Sequence, residues 1–250
     1  MVLRSPAHAR AYLTDGSNET EAQRLGTMIH TAVLEPDLFV KKYRQGPDAA
    51  RNTKAWKDAD RAAVDELFFG ELIKPAEWEI CRSIQKSVSR HPLAKAWLSG
   101  GFAEQSVFWD DPDTELSCKA RPDYVRQSGS DAVVLFDLKT TTDCRPPAFV
   151  KAVAEYGYHI QAAYYLDGWN AIGPTKAESF AFVAVEKAPP FSVWMHALGP
   201  QLIAEGRAAY KRALRIFKEC QEVDEWPGYE GSDTVNTITE LPSWATRWAE

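Results

Sequence analysis

Several kinds of residue pattern are scarce or missing, and each absence removes a class of function. Only four cysteines occur in 250 residues, Cys81, Cys118, Cys144 and Cys220. They are far apart and form no CxxC pair, which argues against a zinc knuckle, an iron–sulfur ligand set or a disulfide scaffold. That usage suits a reducing cytoplasm. No apolar run approaches the roughly 18 residues that a membrane-spanning helix needs. The opening MVLRSPAHARAYLTD lacks the apolar core of a secretory signal, so a cytoplasmic location is expected. No Walker A sequence appears, so no ATP site is predicted. A surplus of positive charge is also missing. The net charge of −6 counts against indiscriminate nucleic-acid binding. It leaves room for a local basic cleft, because the field at a site depends on arrangement rather than total.

What is present describes a folded protein. Hydrophobic residues make up 45 % of the chain and charged residues 26 %, enough for a packed core and unlike a disordered chain. The length suits one α/β domain, and no linker or repeat divides it. Residues 1–100 read as mainly helical. Leu25, Ile29 and Val33 recur at helical spacing in 19–34, and Glu35-Pro36 marks a stop. Residues 36–54 read as polar turns, followed by helices over 54–69 and 76–98, the latter interrupted at His91-Pro92. A strand grammar then takes over. Segments 104–110, 116–126 and 132–140 predict an antiparallel meander. A long helix over 146–170, strands over 179–187 and 191–198 and an amphipathic helix over 201–222 follow. The tail 225–250 holds Trp226, Tyr229, Trp244 and Trp248 and is expected to pack on something. The expected architecture is one α/β (α+β) mixed sheet flanked by helices.

The third predicted strand, VVLFDLKTTTD, poses the chemical question. A core-like run enters Asp137, Leu138 and Lys139, and charges are rarely buried without a partner. Alternation puts Asp137 and Lys139 on one face. On the preceding strand Lys119, Arg121 and Asp123 would share a face, which brings Asp123 across the ladder from Asp137. Two such carboxylates repel unless a cation joins them, and a hard divalent ion such as Mg²⁺ is the default answer. A strand-end ion pair explains the same residues with no chemistry. In GYHIQAAYYLDGW, Tyr158, Gln161 and Tyr165 can line one helix face, as polar ligands or as ordinary aromatic anchors. His30 follows Gly26 by one turn, and a lone helical histidine is usually structural. Glu104, opening the first strand, can reach the same end of the sheet or form an edge salt bridge.

The ordered set GTMIH, E-x-S-x-F-W, CKARPDYV, FDLKTTTD and GYHIQAAYYLDGW resembles the PD-(D/E)xK nuclease superfamily. Within it the resemblance points to the RecB-like branch, and most closely to the C-terminal nuclease domain of RecE (exonuclease VIII) and its phage and prophage relatives. It spans nearly the whole chain, and SPAHARAYLTD resembles the start of that domain. The relatives carry more sequence before this point, so the N-terminus is expected to be short. Asp123 stands 14 positions before Asp137, a longer excursion than the superfamily's name motif suggests.

The resemblance implies an ATP-independent, Mg²⁺-dependent exonuclease, with Mn²⁺ able to substitute. It would degrade one strand of linear double-stranded DNA from its 5′ end and leave a 3′ overhang for a RecT-like annealing protein. A homo-oligomeric, tetrameric ring and a phage- or prophage-encoded protein of the bacterial cytoplasm are implied with it. Carried over residue by residue, Asp123, Asp137, Lys139 and Gln161 are the catalytic set. His30, Asp123, Asp137, the Leu138 backbone carbonyl and Glu104 would hold metal. Arg121, Thr140, Thr141, Tyr165 and Tyr158 would contact DNA. Arg4 and His8 are expected near entering DNA. Alternatives are a RecB-like nuclease acting on single strands or internally, and a DNA-end-binding recombination protein without catalysis.

Overall fold

The apolar run that ends in Asp137 forms the middle of a ten-residue strand, and the other elements cover it on both faces. The computed structural model describes residues 1–16, 19–129, 131–173, 175–229, 235 and 238–239. The chain divides into two compact units, one of residues 18–214 and one that joins 1–17 to 215–250. Among the described residues no helix is long and apolar enough to cross a membrane, and the four cysteines are free and buried.

In the smaller unit, α1 (Pro6–Asp15) starts at Ser5, whose hydroxyl accepts the His8 amide. The Ala7 amide donates to the Pro227 carbonyl at 3.0 Å. Arg4 Nε donates to the Tyr229 hydroxyl at 2.9 Å, and the His8 and Tyr229 rings lie 5.3 Å apart. Arg10 pairs with Asp224 and covers the Trp226 ring. Arg4 and His8, expected near entering DNA, thus contact the tail. Two of the four tail aromatics close on the chain's own first helix. Trp244 and Trp248 lie outside the described residues.

The larger unit begins with α2 (Glu21–Leu34), set by a Thr20/Gln23 capping box. Pro36 then starts α3 (Pro36–Lys42), since proline is well placed in the first turn of a helix. The strand β1 (Tyr43–Gln45) follows, then α4 (Lys54–Asp65), β2 (Glu71–Ile73), α5 (Pro75–Arg90) and α6 (Pro92–Trp97). The reading of 36–54 as turns is thus corrected by α3 and β1. The partner of β1 is β2, paired in parallel with Tyr43 opposite Glu71, and no local pattern announces so distant a partner.

The sheet elements are β3 (Gly101–Ala103), β4 (Val107–Asp110), β5 (Ser117–Ala120), β6 (Tyr124–Gln127) and β7 (Ala132–Thr141). Then come α7 (Pro146–Tyr156), α8 (Tyr158–Ile172), β8 (Lys176–Glu186), β9 (Val193–Ala197) and α9 (Pro200–Val223). The main sheet has the order β3-β6-β7-β8-β9. It is mixed: β6 and β9 run antiparallel to their neighbours β7 and β8, while β7 and β8 are parallel, joined through α7 and α8.

Two expectations need correction. The predicted strand 116–126 breaks at Arg121-Pro122, because proline has no amide to give a ladder. Its first half pairs with β4 in a separate two-stranded sheet, and its second half joins the main sheet. The meander is therefore two hairpins, and strand parity does not carry from Lys119 through to Asp123. The predicted long helix is likewise two helices. Gly157 ends α7 in the left-handed region, φ 67°, the conformation glycine adopts without a Cβ penalty.

On one face of the sheet Leu138, Val183 and Val185 pack with Met28, Ile29, Phe39 and Ile84. On the other, Leu135, Phe180 and Phe182 pack with Phe149, Val153, Ala162 and Leu166. Cover on both faces explains why β7 and β8 read as continuous apolar runs instead of alternating ones. Burial of each such side chain contributes about 1.5–3 kcal/mol. The same packing fixes the end of β7, where the charges begin.

Candidate active site

The β6–β7 ladder ends at Tyr124 opposite Phe136, and one further step would set Asp123 against Asp137. There the backbone pairing gives way to a side chain. Asp123 Oδ2 accepts the Leu138 amide at 2.7 Å. In an extended strand the amide and carbonyl of one residue face the same edge, so the Leu138 carbonyl faces this gap as well. From α2, His30 brings Nδ1 to 3.2 Å from the same Asp123 oxygen.

Asp137 points the other way, toward α8, and is 2 % exposed. Gln161 Nε2 donates to Asp137 Oδ1 at 2.5 Å, while Gln161 Oε1 accepts from Lys139 Nζ at 2.9 Å. Lys139 Nζ lies 2.7 Å from Asp137 Oδ2. That approach is a buried ion pair, and the ammonium is the partner of Oδ2. One amide side chain thus joins acid and lysine in a closed ring. The Lys139 ammonium also sits 4.5 Å from the centre of the Tyr158 ring, a favourable cation–π arrangement.

Glu104 lies in the turn between β3 and β4, where the sequence predicted the start of a strand. Its φ of 54° is unusual for a residue with a side chain. Its amide donates to the Asp123 carbonyl at 2.9 Å, which holds that conformation and turns the carboxylate toward Asp123. One ligand atom each from His30, Glu104 and Asp123 lie within 4.8 Å of one another. Arg121 Nε donates to Glu104 Oε2 at 2.5 Å. These residues, with Gly26 and Thr27 of α2, border a cleft of about 450 Å³. A Cβ added at Gly26 would meet no protein atom within 4 Å, so the glycine widens the cleft and answers no crowding inside the protein.

Charge is distributed unevenly across the site. Burial, then the Asp123 charge, raises the Asp137 pKa to about 6, with Lys139 opposing. Burial by itself would lower the pKa of Lys139, yet Asp137 and Asp123 outweigh it and the net shift is upward. Lys139 is therefore an ammonium at neutral pH. His30 behaves alike: burial opposes its proton, and the hydrogen bond and charge of Asp123 raise it overall.

This donor set suits a hard divalent cation. Carboxylates that converge from Asp123 and Glu104 beside the His30 imidazole gain from a shared positive charge. Mg²⁺ and Mn²⁺ match an oxygen-rich set. Asp137 does not belong to the group of three, however. The sequence paired Asp123 with Asp137, whereas the structure gathers Asp123 with His30 and Glu104 and ties Asp137 to Lys139 and Gln161.

The remaining expected contacts are spread more widely. Tyr165 is half-buried on α8, and burial, then the Asp137 charge, raises its hydroxyl pKa. The Thr141 hydroxyl accepts the Asp143 amide and donates to the Asp143 carbonyl in the turn after β7. Thr140 lies on the opposite face of β7 from Asp137 and Lys139 by strand alternation. Sequence reasoning missed the Asp123–Leu138 contact. Its available signal was Pro122, which frees the next residue from the ladder.

The sequence pattern of a family described as "PDDEXK-like domain of unknown function (DUF3799)" matches residues 1–239. The chain belongs to that family. The mixed sheet with its acid–lysine strand is accordingly a PD-(D/E)xK nuclease-type core. Among solved structures, the PDDEXK-like chain is similar to one from Eubacterium rectale named "Putative exonuclease". The match covers 95 % of this chain and 83 % of that one, with 17 % identity and a TM-score of 0.57, a likeness of fold. SSO0001 aligns over 77 % of this chain and 86 % of its own, at 12 % identity and a TM-score of 0.35, too low to bear on the fold. Comparison with curated proteins finds no match.

Proposed function

We propose that the chain is a divalent-metal-dependent deoxyribonuclease of the PD-(D/E)xK type, hydrolysing phosphodiester bonds with no need for ATP. The observation that carries this reading is the Asp137–Gln161–Lys139 ring beside the His30, Glu104 and Asp123 cluster. A structural ion pair needs neither a third residue bridging acid and base nor three more ligating groups facing a cleft.

Asp123, Asp137, His30, Glu104 and the Leu138 carbonyl would hold Mg²⁺ or Mn²⁺. When bound, such an ion polarises the scissile phosphate and lowers the pKa of a coordinated water. Lys139, kept charged by its neighbours, orients the attacking water and offsets negative charge at the phosphorus in the transition state. A general-base role would need a depressed pKa, and the shift is in the other direction. Gln161 fixes Asp137 and Lys139 relative to each other, and Tyr158 supports the ammonium through its ring. Arg121 binds phosphate through the donors that Glu104 leaves free, and Tyr165 with Thr140 and Thr141 lines the strand's path.

The finer reading is a RecE-like 5′-to-3′ exonuclease on linear duplex DNA, leaving 3′ overhangs for a RecT-like annealing partner and working as a tetrameric ring. It rests on the order and wording of the five motifs. The test supplies purified protein with linear and closed circular duplexes, with and without Mg²⁺, beside Asp137→Ala and Lys139→Ala. Metal-dependent loss of the 5′ label from linear DNA alone is expected, with both variants inactive. Cleavage of circles would replace the exonuclease reading by an endonuclease one. Stoichiometric DNA binding without turnover under any divalent metal would sink the enzyme reading. Sedimentation of the pure protein decides the ring, and a monomer would remove it.

A further inference from the structure

We infer that the β4–β5 hairpin carries a nucleotide-binding subsite beside the carboxylate cleft, in which the Phe108 ring stacks on an unpaired base and Lys119 holds a phosphate. The inference takes its ligand class from the nuclease reading. It rests on a second groove, of about 420 Å³, lined by Ser106, Phe108, Lys119, Ala120, Arg121 and Tyr165, a volume within the range of small-ligand clefts.

Phe108 and Lys119 are direct cross-strand partners, so their side chains stand together on one face of the hairpin. Alternation explains why Phe108 faces outward. Val107 is buried, and the ring of Trp109 lies 4.8 Å from that of Tyr164 on α8. Trp109 also packs so closely on Gly168 that an added Cβ would come within 2.4 Å of its ring. This clamp fixes the hairpin on α8 and leaves Phe108 68 % exposed. A single exposed phenylalanine means little. Here its cross-strand neighbour is a lysine that forms no ion pair with any described carboxylate, and the groove continues to an arginine and a tyrosine. An aromatic platform flanked by cations is the chemistry that takes single-stranded nucleic acid, the ring accepting a base and the cations its phosphates.

Position supports the same ligand. Arg121 borders both this groove and the carboxylate cleft. A strand with its scissile phosphate at Asp123 would therefore lay an adjacent nucleotide along the hairpin. The base of that nucleotide must leave its duplex neighbours to reach Phe108, so the subsite favours frayed or single-stranded ends.

The test is binding without catalysis. Full-length protein in EDTA is titrated with a labelled 12-nucleotide single strand and with the same strand carrying abasic positions. Phe108→Ala is expected to weaken binding of the normal strand roughly 5- to 100-fold, to leave the abasic strand unchanged, and to be rescued by Phe108→Trp. Lys119→Ala should lower the salt dependence of log Kd by about 0.7. Equal weakening of normal and abasic strands by Phe108→Ala would overturn the subsite, as would a wild-type protein that binds neither strand. Base-dependent coupling in a protein that cleaves nothing would keep the subsite and remove the nuclease reading.

Discussion

The Asp123 carboxylate accepts the Leu138 amide at 2.7 Å, and that contact ties the start of β6 to the charged end of β7. It fills the place that a ladder bond would have taken had Pro122 not ended the strand. His30 approaches the same oxygen, while among the described residues no hydrogen bond reaches Asp123 Oδ1. Both contacts thus fall on one oxygen of the carboxylate.

Asp123→Ala should therefore remove two things at once. Loss of an acceptor for a partly buried amide costs about 1–3 kcal/mol, and the metal cluster loses a charge. Asp123→Asn keeps an acceptor for Leu138 and gives up only the charge. Chemical denaturation should show the alanine variant clearly weakened and the asparagine variant near wild type, with Mg²⁺ affinity and DNA cleavage lost in both. Equal destabilisation of the two would mean that the amide contact contributes nothing.

The raised pKa of Asp137 has a consequence for stability in the absence of metal. The unfolded carboxyl titrates near 3.9, the folded one at about 6. Between these values the folded state binds the extra proton, so stability falls as pH rises through the window. The penalty is absent below about pH 4 and complete above about pH 6, on the order of 3 kcal/mol for a buried group shifted this far. Measured as a difference, Asp137→Asn should gain on wild type as pH rises from 4 to 7 in EDTA. The gain should shrink when Mg²⁺ is added. A constant difference across that range would show that Asp137 titrates normally.

Much of this site was legible because its residues announce themselves against their surroundings. Asp137 and Lys139 interrupt a buried strand, and alternation alone put them on one face. Gln161 and Tyr158 were legible through helical spacing, although Gly157 divides the helix that carries them. The partnership of Asp123 was not legible in full. Strand parity carried through Arg121-Pro122 pointed its carboxylate at Asp137, whereas the break at Pro122 turned it to the Leu138 amide and His30. Glu104 was read as the start of a strand, since its left-handed backbone is imposed by a bond to Asp123 and by nothing local. The short strands β1 and β3 escaped notice for a related reason: each exists through a partner distant in sequence.

The bridge made by Gln161 predicts a specific kinetic signature. Gln161→Ala leaves Asp137 and Lys139 in place and removes the group that aligns them. Misplacement of reacting groups by about an ångström costs on the order of 100-fold in rate. Cleavage should fall by that order in kcat, while Mg²⁺ affinity changes little, because Gln161 touches Asp137 through Oδ1, whereas the candidate metal cluster is His30, Glu104 and Asp123. A variant with normal kcat and weakened metal binding would assign Gln161 to the metal instead.

A last prediction concerns a residue remote from the chemistry. Gly206 on α9 passes so close to α8 that a Cβ there would stand 2.1 Å from the His159 carbonyl oxygen. Arg207 Nε and Nη2 donate to Asp167 at 2.6 and 2.7 Å, so α9 meets α8 two residues before Gln161, at His159, and again six residues after it, at Asp167. In a free helix Gly→Ala gains about 1 kcal/mol. Here the obstacle is backbone, which cannot rotate away, and overpacking of this kind costs about 1–3 kcal/mol or more. The clash should win, and Gly206→Ala should lower Tm and reduce cleavage by shifting α8. Gly199→Ala is the control, since its Cβ would meet nothing within 4 Å. If Gly206→Ala is as stable as that control and as active as wild type, close packing of α9 has no part in placing Gln161.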